Sequence, residues 1–207
     1  MNFLAHSLLG FNNAELIAGQ FCGDFVRGSH LSHFPSGIER GIRLHRHLDV
    51  FTDSHPALLE TKQSIEGLPR RFAGVVIDVL FDHFLARNWS RFSPLSLPDH
   101  ADRVHDALDT HHEHLPAGLQ RFLGLLKRER ILENNQDLQA IELTLSRLSR
   151  RSPRFSELAI QQPALAVMRN KLEQPFVSFY PDLHEAATQW LAQASLVNPT
   201  VPQDSTL

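Results

Sequence analysis

The sequence of 207 residues is short of several residue types, and each shortage narrows what the protein can be. A single cysteine, Cys22, excludes an internal disulfide framework and suits a reducing compartment such as the cytoplasm. One Tyr and two Trp leave no clear platform for stacking nucleotide bases, although the abundant Phe could substitute. The formal net charge of -3 gives no global attraction to nucleic acid or to a membrane surface. We therefore expect a cytoplasmic protein with neither a membrane nor a nucleic acid as its partner.

Long apolar runs and alternating patterns are missing as well. The N-terminal residues have no basic segment before their short apolar run, which predicts neither a signal peptide nor a membrane span. No stretch has the period of two that is typical of strands, and we find no internal repeat. The sequence therefore predicts an all-α fold, a compact helical bundle that forms a single domain over residues 1–197, followed by a flexible tail at 198–207.

Side chains at helical spacing predict where individual helices lie. The stripes are Ile17, Phe21 and Phe25; Ile38, Ile42, His45 and Asp49; Leu138, Ile141, Leu145 and Leu148; and Ala186, Trp190 and Leu191. Pro56 is expected to be the first residue of a further helix. Prolines such as Pro163, Pro175 and Pro181 are expected to divide the remaining chain into segments of helical length.

Thirteen histidines are an unusual content, and their positions matter more than their number. Residues 72–86 predict a helix that is apolar around its whole circumference and therefore buried. This helix nevertheless carries Asp78 and Asp82, four residues apart on one face, with His83 beside them. Buried carboxylates need a compensating cation or a dense hydrogen-bond network. A divalent metal is the simplest compensation.

Two more predicted helices place polar groups next to apolar stripes. His45 and Asp49 continue the face defined by Ile38 and Ile42, although a core histidine held by a neighbouring aspartate would look the same. Asp53 extends the spacing, or else caps the helix that begins at Pro56.

Asp24 lies between Phe21 and Phe25 and His6 lies in an apolar opening segment, so each could reach the same centre. Asp24 could instead belong to a solvated helix edge, and His6 could be a structural histidine. Gly19, Gly23 and Gly28 weaken a helix, which indicates close helix packing or a ligand near the backbone. Imidazole and carboxylate ligands without thiolate favour Mn, Fe, Zn or Mg.

Several blocks of the first ninety residues resemble the acyl carrier protein phosphodiesterase family, which is distantly similar to the metal-dependent HD phosphohydrolases. The blocks are Met1–His6, Gly23–Gly28, Gly41–Ile42, Leu44–Arg46 with Asp49, Thr52–Asp53, and Asp78 with Asp82–Leu85. The dyad Asp82–His83 reverses the His-Asp order of the HD signature, so the HD ligand set cannot be transferred directly. The fold that the resemblance implies is HD-phosphohydrolase-like.

The resemblance implies a divalent metal, Mn²⁺ before Mg²⁺, Fe²⁺ or Zn²⁺, and removal of the 4′-phosphopantetheine arm from holo acyl carrier protein. We expect Asp24, His45, Asp82 and His83 to be the catalytic metal ligands, with Asp78 as a ligand or an anchor.

The remaining roles follow from the same expectation. His6 or His55 would protonate the departing serine oxygen, and Arg27, Arg46, Asp49 and Asp53 would contact the substrate. Bidentate arginine contacts suit phosphate oxygens, although each arginine could instead belong to a solvated face.

The charge distribution fits an acidic protein partner. Residues 1–98 contain nine Lys or Arg and nine acids, five of which belong to the predicted inward set, leaving nine positive charges against four. Acyl carrier protein is acidic, and complementary charge speeds encounter. Arg147, Arg150, Arg151 and Arg154 could add a second basic edge. The oligomeric state stays open.

Two other functions are compatible with the same residues. An HD-like phosphohydrolase acting on a small nucleotide would need no carrier protein. A helical binding protein with a structural metal would have an ion fully enclosed by protein ligands, removable only with unfolding.

Overall fold

The computed structural model describes residues 3–65 and 69–197, and within these ranges every regular element is helical, which confirms the all-α prediction. The ten α-helices are α1 (Phe3–Leu8), α2 (Ala14–Cys22), α3 (Ser36–Ser54), α4 (Pro56–Ser64), α5 (Arg70–Arg87), α6 (Leu97–Thr110), α7 (Ala117–Arg128), α8 (Ile131–Asn134), α9 (Leu138–Ser149) and α10 (Gln162–Val197). Three short 3-10 turns, Trp89–Arg91, His112–His114 and Pro153–Leu158, connect some of them.

Side chains and prolines define several helix starts. The Asn13 carboxamide oxygen accepts the Leu16 N–H at 3.0 Å and begins α2, and the Ser96 hydroxyl begins α6 in the same way. Pro56 is the first residue of α4, as predicted. The residue before it is His55, and Asp53 lies in the last turn of α3 instead of capping α4.

The second helix ends earlier than its apolar stripe predicts. Ile17 and Phe21 lie in α2 and are buried, but Phe25 lies in the turn that follows Gly23, so the prediction of a longer helix was wrong. Phe25 still packs against the core from this turn. Spacing alone could not distinguish the two, because the turn returns the side chain to the same apolar surroundings.

The prolines of the C-terminal region do not divide the chain as expected. Pro175 and Pro181 both lie inside the 36-residue helix α10. A proline removes one helical hydrogen bond and costs about 3 kcal/mol in a helix interior. Burial of Leu172, Phe176 and Phe179, which each retain at most 2% of their exposed surface, stabilises the helix across these positions.

Helix α5 is the buried helix that the sequence predicts over residues 72–86. It contacts α1, α4, α9 and α10, and Val76, Leu80 and Phe84 are fully buried in the core that these helices share. The predicted stripe of α9 is confirmed by buried Ile141 and Leu145. The expected similarity to HD phosphohydrolases stays a prediction, as does the single domain.

Helices α2 and α3 cross at a point where each helix has a glycine. A Cβ at Gly19 would lie 2.3 Å from the Ile38 carbonyl oxygen, and one at Gly41 would lie 2.6 Å from the Leu16 carbonyl oxygen. The two glycines therefore allow a backbone-to-backbone contact that no other residue permits, and this contact fixes how α3 lies against α2.

Among the described helices, none is both long enough and apolar enough to cross a membrane. The tail predicted to be flexible, residues 198–207, lies outside the described residues.

Candidate metal centre

Three polar side chains from α1 and α3 meet at the surface of the core. The two carboxylate oxygens of Asp49 divide between the histidines: Oδ1 lies 3.3 Å from Nε2 of His6, and Oδ2 lies 3.2 Å from Nε2 of His45. The imidazole rings of His6 and His45 stack with their centroids 4.0 Å apart. The His6–His45–Asp49 triad places its ligand atoms within 4.8 Å of one another, and the described part of the chain holds no other group of three such side chains this close.

The helices hold each member of the triad for a local reason. His45 and Asp49 are four residues apart in α3 and therefore lie one turn above each other. His6 lies in the short α1, whose first turn is held by Asp82 of α5. The two Asp82 oxygens each accept a backbone N–H at 2.9 Å, one from Leu4 and one from Ala5. Asp82 thus links α5 to the helix that carries His6.

Contacts from α2 and the turn after it complete the surroundings of the two rings. The Nδ1 atom of His6 is hydrogen-bonded to the Oε1 atom of buried Gln20 at 2.9 Å. A Cβ at Gly23 would lie 2.3 Å from Cγ and Cδ2 of His45, so only glycine lets the backbone lie against this ring. Nδ1 of His45 is buried and has no hydrogen-bond partner among the described residues.

Burial and neighbouring charges favour a neutral His6 ring and an ionised Asp49 carboxylate. Burial, together with the charge of His45, lowers the pKa of His6 despite the opposing effect of Asp49. Burial by itself would raise the pKa of Asp49, but the hydrogen bonds and charges of His45 and His6 outweigh it and hold that pKa below its usual range. The Asp49 side chain remains 54% exposed, whereas both rings are buried, so the triad opens to solvent on its carboxylate side.

The donor set fits a divalent metal ion. When Gln20 accepts a hydrogen bond from Nδ1–H of His6, a neutral ring has its lone pair on Nε2. That lone pair faces the Asp49 carboxylate at 3.3 Å, which is repulsive unless a cation lies between them. Two imidazole nitrogens and a carboxylate are typical ligands of Mn, Fe and Zn, and an accessible carboxylate side leaves room for further ligands.

The structure brings together only part of the predicted ligand set. His45 belongs to the triad, together with His6, expected as a proton donor, and Asp49, expected to contact substrate. Asp24 directly follows Gly23, which lies against the His45 ring, and its side chain is exposed. Asp78 on α5 is half-buried.

Asp82 and His83 form hydrogen bonds with residues outside the triad. Burial raises the pKa of Asp82 to about 7, although its two backbone N–H donors favour the ionised form. His83 is fully buried, and its Nδ1 donates to the Asn135 carbonyl oxygen at 2.7 Å. Burial lowers the pKa of His83. Neither side chain belongs to a group of three potential ligands among the described residues.

The predicted substrate-contacting residues lie around the same region with different partners. Arg46 follows His45 and donates from Nη2 to the Val26 carbonyl oxygen at 3.0 Å, beside exposed Arg27. Asp53 forms an ion pair with Lys62 at 2.8 Å. His55, the other expected proton donor, has its Nε2 3.4 Å from the Asp182 carboxylate.

Two polar partners were not predicted from the sequence. Gln20 does have a signal, because a carboxamide inside the apolar run Leu16–Cys22 is the kind of buried polar residue that needs an explanation. Asn135, which contacts His83 through its backbone carbonyl, carries no sequence signal because any residue could supply that oxygen.

Known proteins match most of the length of the chain. Residues 1–183 match the family described as acyl carrier protein phosphodiesterase. A curated relative of that name from Yersinia pestis is 35% identical over 188 residues, covering 90% of this chain and 97% of the relative. Another from Salmonella agona (strain SL483) is 34% identical over 193 residues, covering 91% and 98%. No solved structure matches the chain. Since the family match spans most of the chain and the resemblance in the first ninety residues agrees with it, the protein belongs to the acyl carrier protein phosphodiesterase family.

Proposed function

We propose that the protein hydrolyses the phosphodiester that joins 4′-phosphopantetheine to a serine of acyl carrier protein, giving the apo carrier and free 4′-phosphopantetheine. The observation that carries this proposal is the His6–His45–Asp49 triad, which lies in a chain whose relatives are named for this activity. A cytoplasmic location is part of the proposal and is supported by the single, buried, unpaired Cys22.

The proposed ion is Mn²⁺, held by His6, His45 and Asp49. A divalent ion here would act as a Lewis acid, offsetting the negative charge of a phosphodiester and making hydroxide available near neutral pH. We assign Asp24 as a further ligand, because Gly23 brings the backbone next to the His45 ring. Asp82 and His83 enter the proposal as residues that hold α1 and α8 in place.

Arg46 and Arg27 are the proposed contacts to phosphate oxygens. Among the described residues, Arg46 donates only from Nη2 to the Val26 carbonyl, which leaves its other N–H groups available to a ligand. The same carbonyl precedes Arg27, so two cationic side chains extend from one short region beside His45. Paired guanidinium groups would bind the phosphate and orient it toward the triad.

The exposure of the Asp49 carboxylate to solvent supports a catalytic metal ion over a structural one. A structural ion is normally enclosed by four protein ligands, whereas Asp49 is about half exposed (54%). His6 and His45 would act as ligands, and His55 remains the proposed proton donor to the leaving serine oxygen.

The surface charge supports an acidic protein as substrate. Arg150, Arg151 and Arg154 are exposed and form no ion pair with the described residues, so the region after α9 stays basic. Basic surface of this kind attracts an acidic carrier protein and sets its orientation.

The experiment that tests the proposal follows the mass of purified holo acyl carrier protein during incubation with the protein and Mn²⁺. We expect loss of the phosphopantetheine mass, prevented by a chelator and by His45→Ala or Asp49→Ala. His114→Ala, in a 3-10 turn outside the triad, should retain activity. Hydrolysis of free nucleotides with an unchanged holo carrier would replace the proposal with the nucleotide hydrolase.

A further inference from the structure

The Gln20 side chain contacts the triad through its hydrogen bond with His6. It lies in α2 and is 1% exposed, and its Oε1 atom is 2.9 Å from Nδ1 of His6. Its Nε2 atom is buried and has no hydrogen-bond partner among the described residues. A buried carboxamide with only one of its ends paired therefore acts on the site through its contact with His6.

The two ring nitrogens of His6 face different partners, and a neutral ring carries only one proton. With the proton on Nδ1, the ring donates to the Gln20 oxygen and its Nε2 lone pair is free to bind an ion beside Asp49. With the proton on Nε2, the ring donates to Asp49 and has no lone pair to offer there. The amide of Gln20 would then have to turn its nitrogen toward Nδ1, leaving its oxygen unpaired.

We propose that Gln20 is a positioning residue that selects the tautomer of His6, keeping the proton on Nδ1 so that Nε2 can bind a divalent ion. Hydrogen bonding at the second nitrogen is the general way in which proteins fix the tautomer and ring orientation of a metal-binding histidine. This inference rests on the metal centre of the proposed function, but it concerns a residue that neither the family resemblance nor the ligand set points to.

Two substitutions separate the oxygen of Gln20 from its volume. Gln20→Glu retains an oxygen acceptor for Nδ1–H, whereas Gln20→Leu fills similar space without any acceptor. The matched control is Ser7→Ala. Ser7 is fully buried in the same helix as His6 and hydrogen-bonds His100 at 2.9 Å, so its loss weakens α1 without removing a contact to the His6 ring.

The first readout is the position of the ring proton in metal-free protein, from ¹⁵N chemical shifts of His6. Because Asp49 favours the Nε2–H form when no ion is bound, the expectation is comparative. We expect a larger Nδ1–H fraction in the parent protein and in Gln20→Glu than in Gln20→Leu. The second readout is the affinity for Mn²⁺ added alone, measured by calorimetry. Gln20→Leu should bind about 10- to 100-fold more weakly than the parent, and Ser7→Ala should bind equally well even where its melting temperature falls.

Either of two results would overturn the inference: the same Nδ1–H fraction in the parent protein and in folded Gln20→Leu, or unchanged Mn²⁺ affinity in folded Gln20→Leu. An Ser7→Ala variant that loses affinity as strongly as Gln20→Leu would also overturn it, because the effect would then be loss of α1 stability. Failure of the parent protein to cleave the carrier, with the tautomer and Mn²⁺ affinities as expected, would remove the proposed function and leave this inference standing.

Discussion

His100 makes a contribution to stability that depends on pH. Its ring is 1% exposed, its Nε2 is hydrogen-bonded to the Ser7 hydroxyl, and burial together with Arg103 lowers its pKa from 6.5 to about 4. Because the unfolded chain binds a proton at higher pH than the folded chain, this contribution is present above pH 6.5 and is lost as the pH falls toward about 4.

Replacing His100 by Gln should therefore make stability less sensitive to acid. The shift of His100 corresponds to about 3 kcal/mol of unfolding free energy between the two pH limits. Between pH 7 and pH 4, the unfolding free energy of the parent protein should fall by this amount more than that of His100→Gln. Urea unfolding at the two pH values measures this difference. His114→Gln, at the surface, serves as the control. Parallel pH profiles for the parent and His100→Gln would contradict the prediction.

Gly23 determines how closely the backbone approaches the triad. In Gly23→Ala the new Cβ would meet Cβ, Cγ and Cδ2 of His45 at 2.3–2.8 Å, and none of these atoms is the flexible end of a side chain. The ring must move, and a displacement of about 1 Å at a catalytic group costs on the order of 100-fold in rate. We expect kcat/KM for the carrier to fall by about that factor.

The control for this substitution is Gly74→Ala, where the nearest atom to the added Cβ is Lys62 Cε at 4.0 Å. This variant should keep both activity and Mn²⁺ affinity. Equal activity of Gly23→Ala and the parent protein would show that His45 can shift without consequence, and would argue against its place in the metal centre.

At the scale of helices, a single added methyl group can test the close contact between α2 and α3. In Gly41→Ala the Cβ would lie 2.6 Å from the Leu16 carbonyl oxygen and 2.8 Å from the Gly19 Cα, so two backbones must separate. Overpacking of this kind costs about 1–3 kcal/mol. We expect a lower midpoint in urea unfolding.

Gly124→Ala provides the opposite case within a helix. It lies in α7 with no atom within 4 Å of the added Cβ, and its alanine should stabilise the helix by about 0.5–1 kcal/mol. A Gly41→Ala variant that is also more stable than the parent protein would contradict the close backbone contact between α2 and α3.

Helices with a strong apolar period could be predicted from the sequence, whereas contacts between helices could not. Helix α5 follows from the apolar circumference of residues 72–86, and the buried face of α3 follows from the spacing of Ile38 and Ile42. The passage of α10 through Pro175 was not predictable, because aromatic packing far along the chain offsets a local penalty.

The candidate site shows the same division. His45 and Asp49 could be paired from their spacing within α3, which needs only helical geometry. The place of His6 depends on how α1 lies against α3, and the role of Gln20 depends on α2 as well. Asp82 was predicted as a ligand because it is a buried acid. Its two hydrogen bonds from backbone N–H groups of α1 could not be predicted, because they depend on how α1 lies against α5.

For the whole molecule, an ion at the triad would connect α1 to α3. Binding only to the folded state stabilises it by about 2.7 kcal/mol when the ion is present at 100 times its dissociation constant. For a chain of this size that corresponds to an increase in melting temperature of about 5–10 °C. Thermal melts with and without Mn²⁺ should show this increase, and a chelator should reverse it. His45→Ala should show no increase.

The hydrogen bonds between Asp82 and the backbone of α1 also affect the order of folding. Although His6, His45 and Asp49 all lie within the first quarter of the chain, the helix that carries His6 is fixed by a residue 78 positions after Leu4. The entropy of closing that long loop must be overcome before the triad is complete. A fragment that ends after α3 would contain His6, His45 and Asp49 but not Asp82, so α1 would not be fixed in place. Ion binding can therefore report that the tertiary structure has formed, but it cannot direct its formation.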